Sequence, residues 1–154
     1  MGGTLDAVEL VSDRRWCFGA PPDVVWAALA ATDDYPTWWP WLRGFDADGL
    51  VAGGRWRCTV RPPLQYSVRF ALDLEEVEAP RLVTARVSGD ITGRARIDIT
   101  AAGARSEVHL ASALRPTRRT IAWLAAAAGP IARRSHDWVL ETGARQFAAR
   151  AVPT

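Results

Sequence analysis

Residues 66–75, YSVRFALDLE, alternate without a break: Tyr66, Val68, Phe70, Leu72 and Leu74 are separated by Ser67, Arg69, Ala71, Asp73 and Glu75. Strict period two over such a run is the mark of an antiparallel strand with one face buried and one in water. The same pattern extends outward from it. Trp56, Cys58 and Val60 alternate with Arg55, Arg57 and Thr59; Ile91, Gly93, Ala95, Ile97 and Ile99 alternate with Thr92, Arg94, Arg96 and Asp98. Val83, Ala85 and Val87 form another run, and Val108, Leu110, Ser112 and Leu114 alternate with Glu107, His109, Ala111 and Ala113. Gly or Pro at 53–54, 62–63, 80, 89 and 103 divides the runs, which leaves no room for crossover helices and predicts a meander from residue 42 onward.

The flanks read differently. Val8, Leu10, Trp16 and Phe18 share one parity, predicting a first strand over 6–18 with a polar middle, Ser12 to Arg15, that ends at Gly19. In APPDVVWAALA, Pro21 and Pro22 stand at a helix start, Asp23 suits the positive end of the dipole, and Val25, Trp26 and Leu29 have helical spacing over about 22–31. DDYPTWWPWL is too broken by Pro36 and Pro40 for a long helix and predicts one aromatic turn that closes over something. From about Thr117 to Arg150 the chain reads as helix, with a kink at Gly129-Pro130. A wheel over 131–150 gathers Ala132, His136, Val139, Leu140, Gly143 and Phe147 opposite Arg133, Arg134, Asp137 and Glu141; Ile121, Leu124, Ala125 and Ala128 make a similar stripe before the proline. That helix has to bury its apolar face on the concave side of a single curved sheet.

The composition sets bounds. The 154 residues are expected to form one domain over 1–154, large enough for a real core. Hydrophobic residues make up 49% and no apolar run approaches the about 18 residues of a membrane span, so no transmembrane segment is expected. MGGTLDAVEL lacks the basic head and apolar stretch of a secretory signal, from which a cytoplasmic location is expected. There are nineteen Arg and no Lys, which excludes Schiff-base chemistry, a pyridoxal-phosphate anchor and the P-loop lysine. His109 and His136 are the only histidines, and Cys17 and Cys58 form no CxxC pair. No metal, no cofactor and no disulfide are expected. The net charge is only +2 and the arginines are interspersed with acids, so a solvated surface is expected and no nucleic-acid partner. Eight tryptophans, at 16, 26, 38, 39, 41, 56, 123 and 138, call for large flat apolar surfaces, either as core filling or around a ring-shaped ligand.

The order strand, two short helices, six meander strands, long terminal helix resembles the helix-grip fold of the START and polyketide cyclase/dehydrase superfamily, also called SRPBCC. The local marks are FGAPPDVVWAALAATDDYPTWWPWL at residues 18–42 and SHDWVLETG at residues 135–143. The resemblance implies an α+β fold, a curved antiparallel sheet of about seven strands wrapped on the long C-terminal helix. It also implies a deep hydrophobic cavity between the two that takes lipids, sterols, polyketides or other apolar molecules, with or without a reaction. The residues agree on one point independently: inward positions at Ala85, Gly93, Ala95, Ala128 and Gly143 are small and leave volume, unless they serve close packing of helix on sheet.

The ligand-binding set expected on this reading is Trp39, Trp56, Tyr66, Phe70, Ala85, Ala95, Ser112, His136, Leu140 and Gly143. His136 is the imidazole on the apolar helix face and Tyr66 the phenol on an inward strand parity, an acid and base suited to aldol cyclisation or dehydration. The competing reading makes His136 a neutral, hydrogen-bonded core residue. Arg14 shares parity with Leu10 and Trp16, so it either holds a ligand carboxylate or enolate, or pairs with an acid on a loop. The His136-Asp137 pair lacks the further histidines of a metal-dependent phosphohydrolase, no GxSxG elbow is present, and His109 shares the outward parity of Glu107. Trp123 falls opposite its stripe. Few polar groups converge inside, which favours binding or carriage of a small hydrophobic ligand by a monomer or homodimer over a cyclase or dehydratase, and over an interaction module built on the Tyr35 to Trp41 turn.

Overall fold

A computed structural model of the chain describes residues 9–61, 67–117 and 129–151. Strand β1 (Leu10–Phe18) leads into helix α1 (Pro22–Ala30), a short 3-10 turn (Thr32–Asp34) and helix α2 (Tyr35–Trp38). Strands β2 (Leu42–Ala47), β3 (Arg55–Val60), β4 (Val68–Glu78), β5 (Leu82–Gly89), β6 (Ile91–Ala102) and β7 (Arg105–Pro116) follow, and helix α3 (Gly129–Arg150) ends the described chain. All seven strands form one antiparallel sheet in the order β1-β7-β6-β5-β4-β3-β2. The chain thus runs as a meander from β2 to β7, and β1 closes onto β7, the expected architecture.

Register puts the predicted apolar sets on one face. Trp16 opposes Val108, which opposes Ile99; Trp56 opposes Leu72, which opposes Val87. Directly opposed residues project to the same side, so the alternation seen in the sequence becomes one continuous inner face. The outer face carries charge: Arg55 with Asp73, Arg96 with Asp98, Arg15 with Glu107, and His109 with Asp13 at 2.6 Å. The Arg96 guanidinium, hydrogen-bonded to Asp98, holds that carboxyl below its ordinary range.

Two glycines are dictated by backbone. Gly93 has φ +152°, and a Cβ there would lie 1.9 Å from the Ala113 carbonyl oxygen; Gly89, at φ +121°, would place one 2.7 Å from the Arg69 carbonyl oxygen. Gly93 was expected to leave interior volume. It instead lets β6 approach β7 where no side chain fits. Thr117 itself is not helical, because its amide donates to the Asp90 carbonyl at 2.8 Å and continues the sheet end; the helix expected from there falls, up to residue 128, outside the described residues. The kink expected at Gly129-Pro130, the stripe before it and Trp123 fall on or against residues outside those described.

The main core sits at one end of the concave face, where Phe18, Val25, Tyr35, Trp38, Ile99, Val108 and Phe147 are buried together. The Phe147 ring stands edge-on to Phe18 at 5.2 Å and to Trp38 at 5.7 Å. Two hydroxyls within it find partners: Ser106, fully buried, donates to the Ala20 carbonyl at 2.7 Å, and Tyr35 donates to the Leu29 carbonyl. Burial pushes the Cys58 thiol up to about 12, and burial raises the Tyr35 phenol likewise, with Cys58 beside it adding to the effect.

Phe147→Ala is expected to cost about 3–5 kcal/mol of stability, seen as a lower urea midpoint at unchanged slope. The two free thiols divide by environment: Cys17 is exposed and Cys58 buried. One equivalent of a thiol reagent should react with the native protein and the second only in denaturant. The Cys58 thiol keeps its proton in the fold, so its stabilisation is full below its unfolded value of 9.0 and is lost as pH rises from there toward about 12. Urea midpoints should therefore fall as the buffer is raised above 9.0.

Candidate functional site

A row of small inner-face residues crosses four strands and ends at a leucine on the fifth. Ser12 of β1 opposes Ser112 of β7, Ser112 opposes Ala95 of β6, Ala95 opposes Ala85 of β5, and Ala85 opposes Leu74 of β4. Over the β1 end of the row stands α3, where His136 Nε2 and Ser12 Oγ are hydrogen-bonded at 2.7 Å. Ser12 is buried, which explains why a strand with a polar middle still tolerates an inward serine: its hydroxyl has a partner. Ser112 is half-buried, and its hydroxyl has no hydrogen-bond partner among the described residues. It lies on the α3 side of the sheet.

The neighbouring row starts with Arg14, opposed by Leu110, then Ile97 and Val83. The Arg14 guanidinium forks to Asp137 Oδ1 and Glu141 Oε1, both at 2.6 Å. Four residues apart, the two acids lie on one flank of α3. A loop acid was the expected partner; the helix supplies both instead, because its charged flank leans over the edge strand. With the groups from 30% to 49% exposed, the pairs are worth at most about 1 kcal/mol each, and their larger effect is to seat the helix over β1.

The C-terminal half of α3 is held by the aromatic turn. Trp39 Nε1 donates to the Gly143 carbonyl at 3.0 Å, Trp41 Nε1 donates to Gln146 Oε1 at 2.9 Å, and the two indoles stack at 5.7 Å. Arg150 donates to the carbonyls of Thr37 and Trp38 at 3.2 and 2.9 Å, satisfying the end of α2. The turn therefore closes over the end of the terminal helix. At Gly143 the expected volume is taken: a Cβ would meet Trp41 Cζ2 at 3.3 Å.

The predicted residues thus separate into groups. Ser112, Ala95 and Ala85 share the row beneath His136. Trp39 and Gly143 belong to the helix clamp, seven residues or about 10 Å along α3 from His136. Trp56 donates to the Gly49 carbonyl at 2.8 Å and packs edge-on against Tyr35 and Phe45 at 5.7 and 5.6 Å. Phe70 is half-buried on β4 and Leu140 half-buried on α3. Tyr66 lies outside the described residues. Sequence reasoning missed Ser12, although it shares the inward parity of Leu10 and Trp16, and it missed Asp137 and Glu141 as partners of Arg14. Among the described residues, no three metal-ligating side chains converge.

Among the described residues, Leu74, Val83 and Ala85 form a second buried cluster beside the main core, and Trp26 and Trp56 lie against both. Between and beside them Leu10, Ala95, Ile97, Leu110 and Ser112 stay half-buried although they face α3. Two shallow grooves are lined largely from the other side of the sheet, one along Glu75, Thr84, Arg94 and Ala113 that also touches Ser12, Ala85, Ala95 and Ser112, the other along Asp46, Arg57 and Ser88. Both are open to solvent and rimmed by charge.

The pattern of the polyketide cyclase / dehydrase and lipid transport family matches residues 17–152. The chain belongs to that family. No curated protein matches the sequence. Among solved structures, a START superfamily protein from Mycobacterium smegmatis aligns with TM-score 0.71 at 14% identity, covering 92% of this chain and 96% of that one. An aromatase/cyclase from a Streptomyces species aligns with TM-score 0.68 at 16% identity, covering 94% and 92%. Norcoclaurine synthase from Thalictrum flavum, solved with a transition-state analogue, gives 0.59 at 14%, covering 87% and 96%. At these identities the likeness is one of fold. Among the described residues of this family member, no helix is long and apolar enough to cross a membrane.

Gly143→Leu tests the clamp. Bulk placed against Trp41 should destabilise by about 1–3 kcal/mol and shift the tryptophan emission, without acting through any ligand.

Proposed function

We propose that this family member binds and carries a small hydrophobic ligand, a lipid, polyketide or aromatic, in the space between the sheet and α3. The observation that carries the reading is the incomplete cover of the inner face: Leu10, Ala95, Ile97, Leu110 and Ser112 lie on the α3 side of the sheet and stay half-buried. A helix packed on a sheet for stability alone buries such positions. The row Ser112, Ala95 and Ala85 supports it, since three small side chains in register leave volume on that face. The family's lipid-transport description is in keeping with carriage, and two free cysteines with action in the cytoplasm, as monomer or homodimer.

Binding is favoured over a cyclase or dehydratase using His136 and Tyr66, because His136 Nε2 is already hydrogen-bonded to Ser12 and the nearby Arg14, Asp137 and Glu141 are paired with one another. A general acid or base must reach the proton it moves. On the carrier reading, His136→Ala changes affinity or stability only.

Apolar dyes or fatty acyl chains are expected to bind in the micromolar range, roughly −8 kcal/mol, with quenching of tryptophan emission. Ala95→Phe should abolish that binding while leaving the urea midpoint nearly unchanged. A large loss of stability in Ala95→Phe, with no saturable binding by the wild type, would show a closed interior and end the carrier reading.

A further inference from the structure

We propose that the interior selects neutral ligands bearing a hydroxyl or carbonyl and discriminates against carboxylates, with Ser112 reading the polar group and the Arg14–Asp137–Glu141 cluster setting the charge. The inference rests on the carrier reading above and names the class of ligand. Arg14 is the cation in the inner rows beside Ser12 and Ser112, and both of its hydrogen-bonding arms are occupied at 2.6 Å by acids from α3. Those acids are held in place by the helix. A ligand carboxylate would have to displace one of them, and the cluster it meets carries one more negative than positive group. The nearby sheet arginines give no substitute: Arg86, Arg94 and Arg96 alternate with the inward Ala85, Gly93, Ala95 and Ile97 and so project to the outer face. An ionised carboxylate brought out of water without a cation is strongly disfavoured, whereas a neutral oxygen needs one hydrogen bond.

Ser112 offers that bond. Its hydroxyl lies on the α3 side of the sheet, lacks a partner among the described residues, and both donates and accepts, so it serves a ligand hydroxyl or carbonyl equally. Its cross-strand neighbour Ser12 bonds to His136, and no bond joins the two serines. The apolar remainder of a ligand then lies along Ala95 and beyond.

The test compares naphthalene, naphthol and naphthoate by calorimetry and tryptophan quenching at neutral pH, where the acid is ionised and the phenol is not. Naphthol should bind wild type at least about tenfold more tightly than naphthoate. Ser112→Ala should weaken naphthol by roughly threefold to tenfold and leave naphthalene unchanged. Asp137→Asn combined with Glu141→Gln frees Arg14, and naphthoate should then tighten by at least about fivefold while naphthol moves by less than about twofold. The wild-type ratio and Ser112→Ala decide the matter even if the double variant fails to fold by circular dichroism. Naphthoate binding as tightly as naphthol, or a Ser112→Ala protein that binds naphthol normally, overturns the inference and leaves the carrier reading intact. Failure of all three probes to bind removes the carrier reading, and this inference with it.

Discussion

The structure depends on how the end of the terminal helix is fastened. A single curved sheet has an apolar concave face that nothing in the meander itself can cover, so one long helix must be held across it. The fastening is aromatic and directional: Phe147 enters the core between Phe18 and Trp38, Trp39 and Trp41 hydrogen-bond to Gly143 and Gln146, and Arg150 reaches the end of α2. Indoles suit the task because each gives a broad apolar plane and one donor. Close approach requires the glycine. Four of the eight tryptophans, Trp38, Trp39, Trp41 and Trp56, thereby join Tyr35 and Phe45 in one connected set of ring contacts.

That concentration at one end makes the molecule asymmetric. Phe147 and the aromatic turn plug the concave face beside Ile99 and Val108, and the other half of the face, with Leu10, Ala95, Leu110 and Ser112, is covered less completely. There α3 is seated by polar contacts, Arg14 to two acids and Ser12 to His136. Aromatic packing with hydrogen bonds holds one end of the helix, and polar contacts link the other to β1.

Much of the fold was legible because sheet periodicity is local. The alternation of Tyr66 to Glu75 and of Ile91 to Ile99 states which side chains share a face, and Gly and Pro state where strands end. The site was less legible, for a physical reason. Residue Ser12 becomes informative only when His136, 124 positions later, is brought to 2.7 Å, and nothing in either neighbourhood encodes that meeting. The helical wheel assigned Asp137 and Glu141 to the polar side correctly, yet it could not say that this side overhangs β1, where Arg14 waits. Small residues were the most ambiguous signal. Gly93, Gly143 and Ala95 look alike in sequence, but the first is demanded by the Ala113 carbonyl, the second by an indole, and Ala95 lies in a half-buried inner row.

The separation of the clamp from the small-residue row has a consequence for how such a protein can change. The shell is specified by the glycine at 93, the aromatic turn and the end of α3, and the lining by Ala85, Ala95, Ser112 and their neighbours. Ala85, Ala95 and Ser112 make none of the hydrogen bonds that hold the end of α3, so a substitution among them reshapes the interior without cutting those bonds. Specificity and foldability are thereby free to drift on separate tracks, and one scaffold can be refitted for a new cargo one residue at a time.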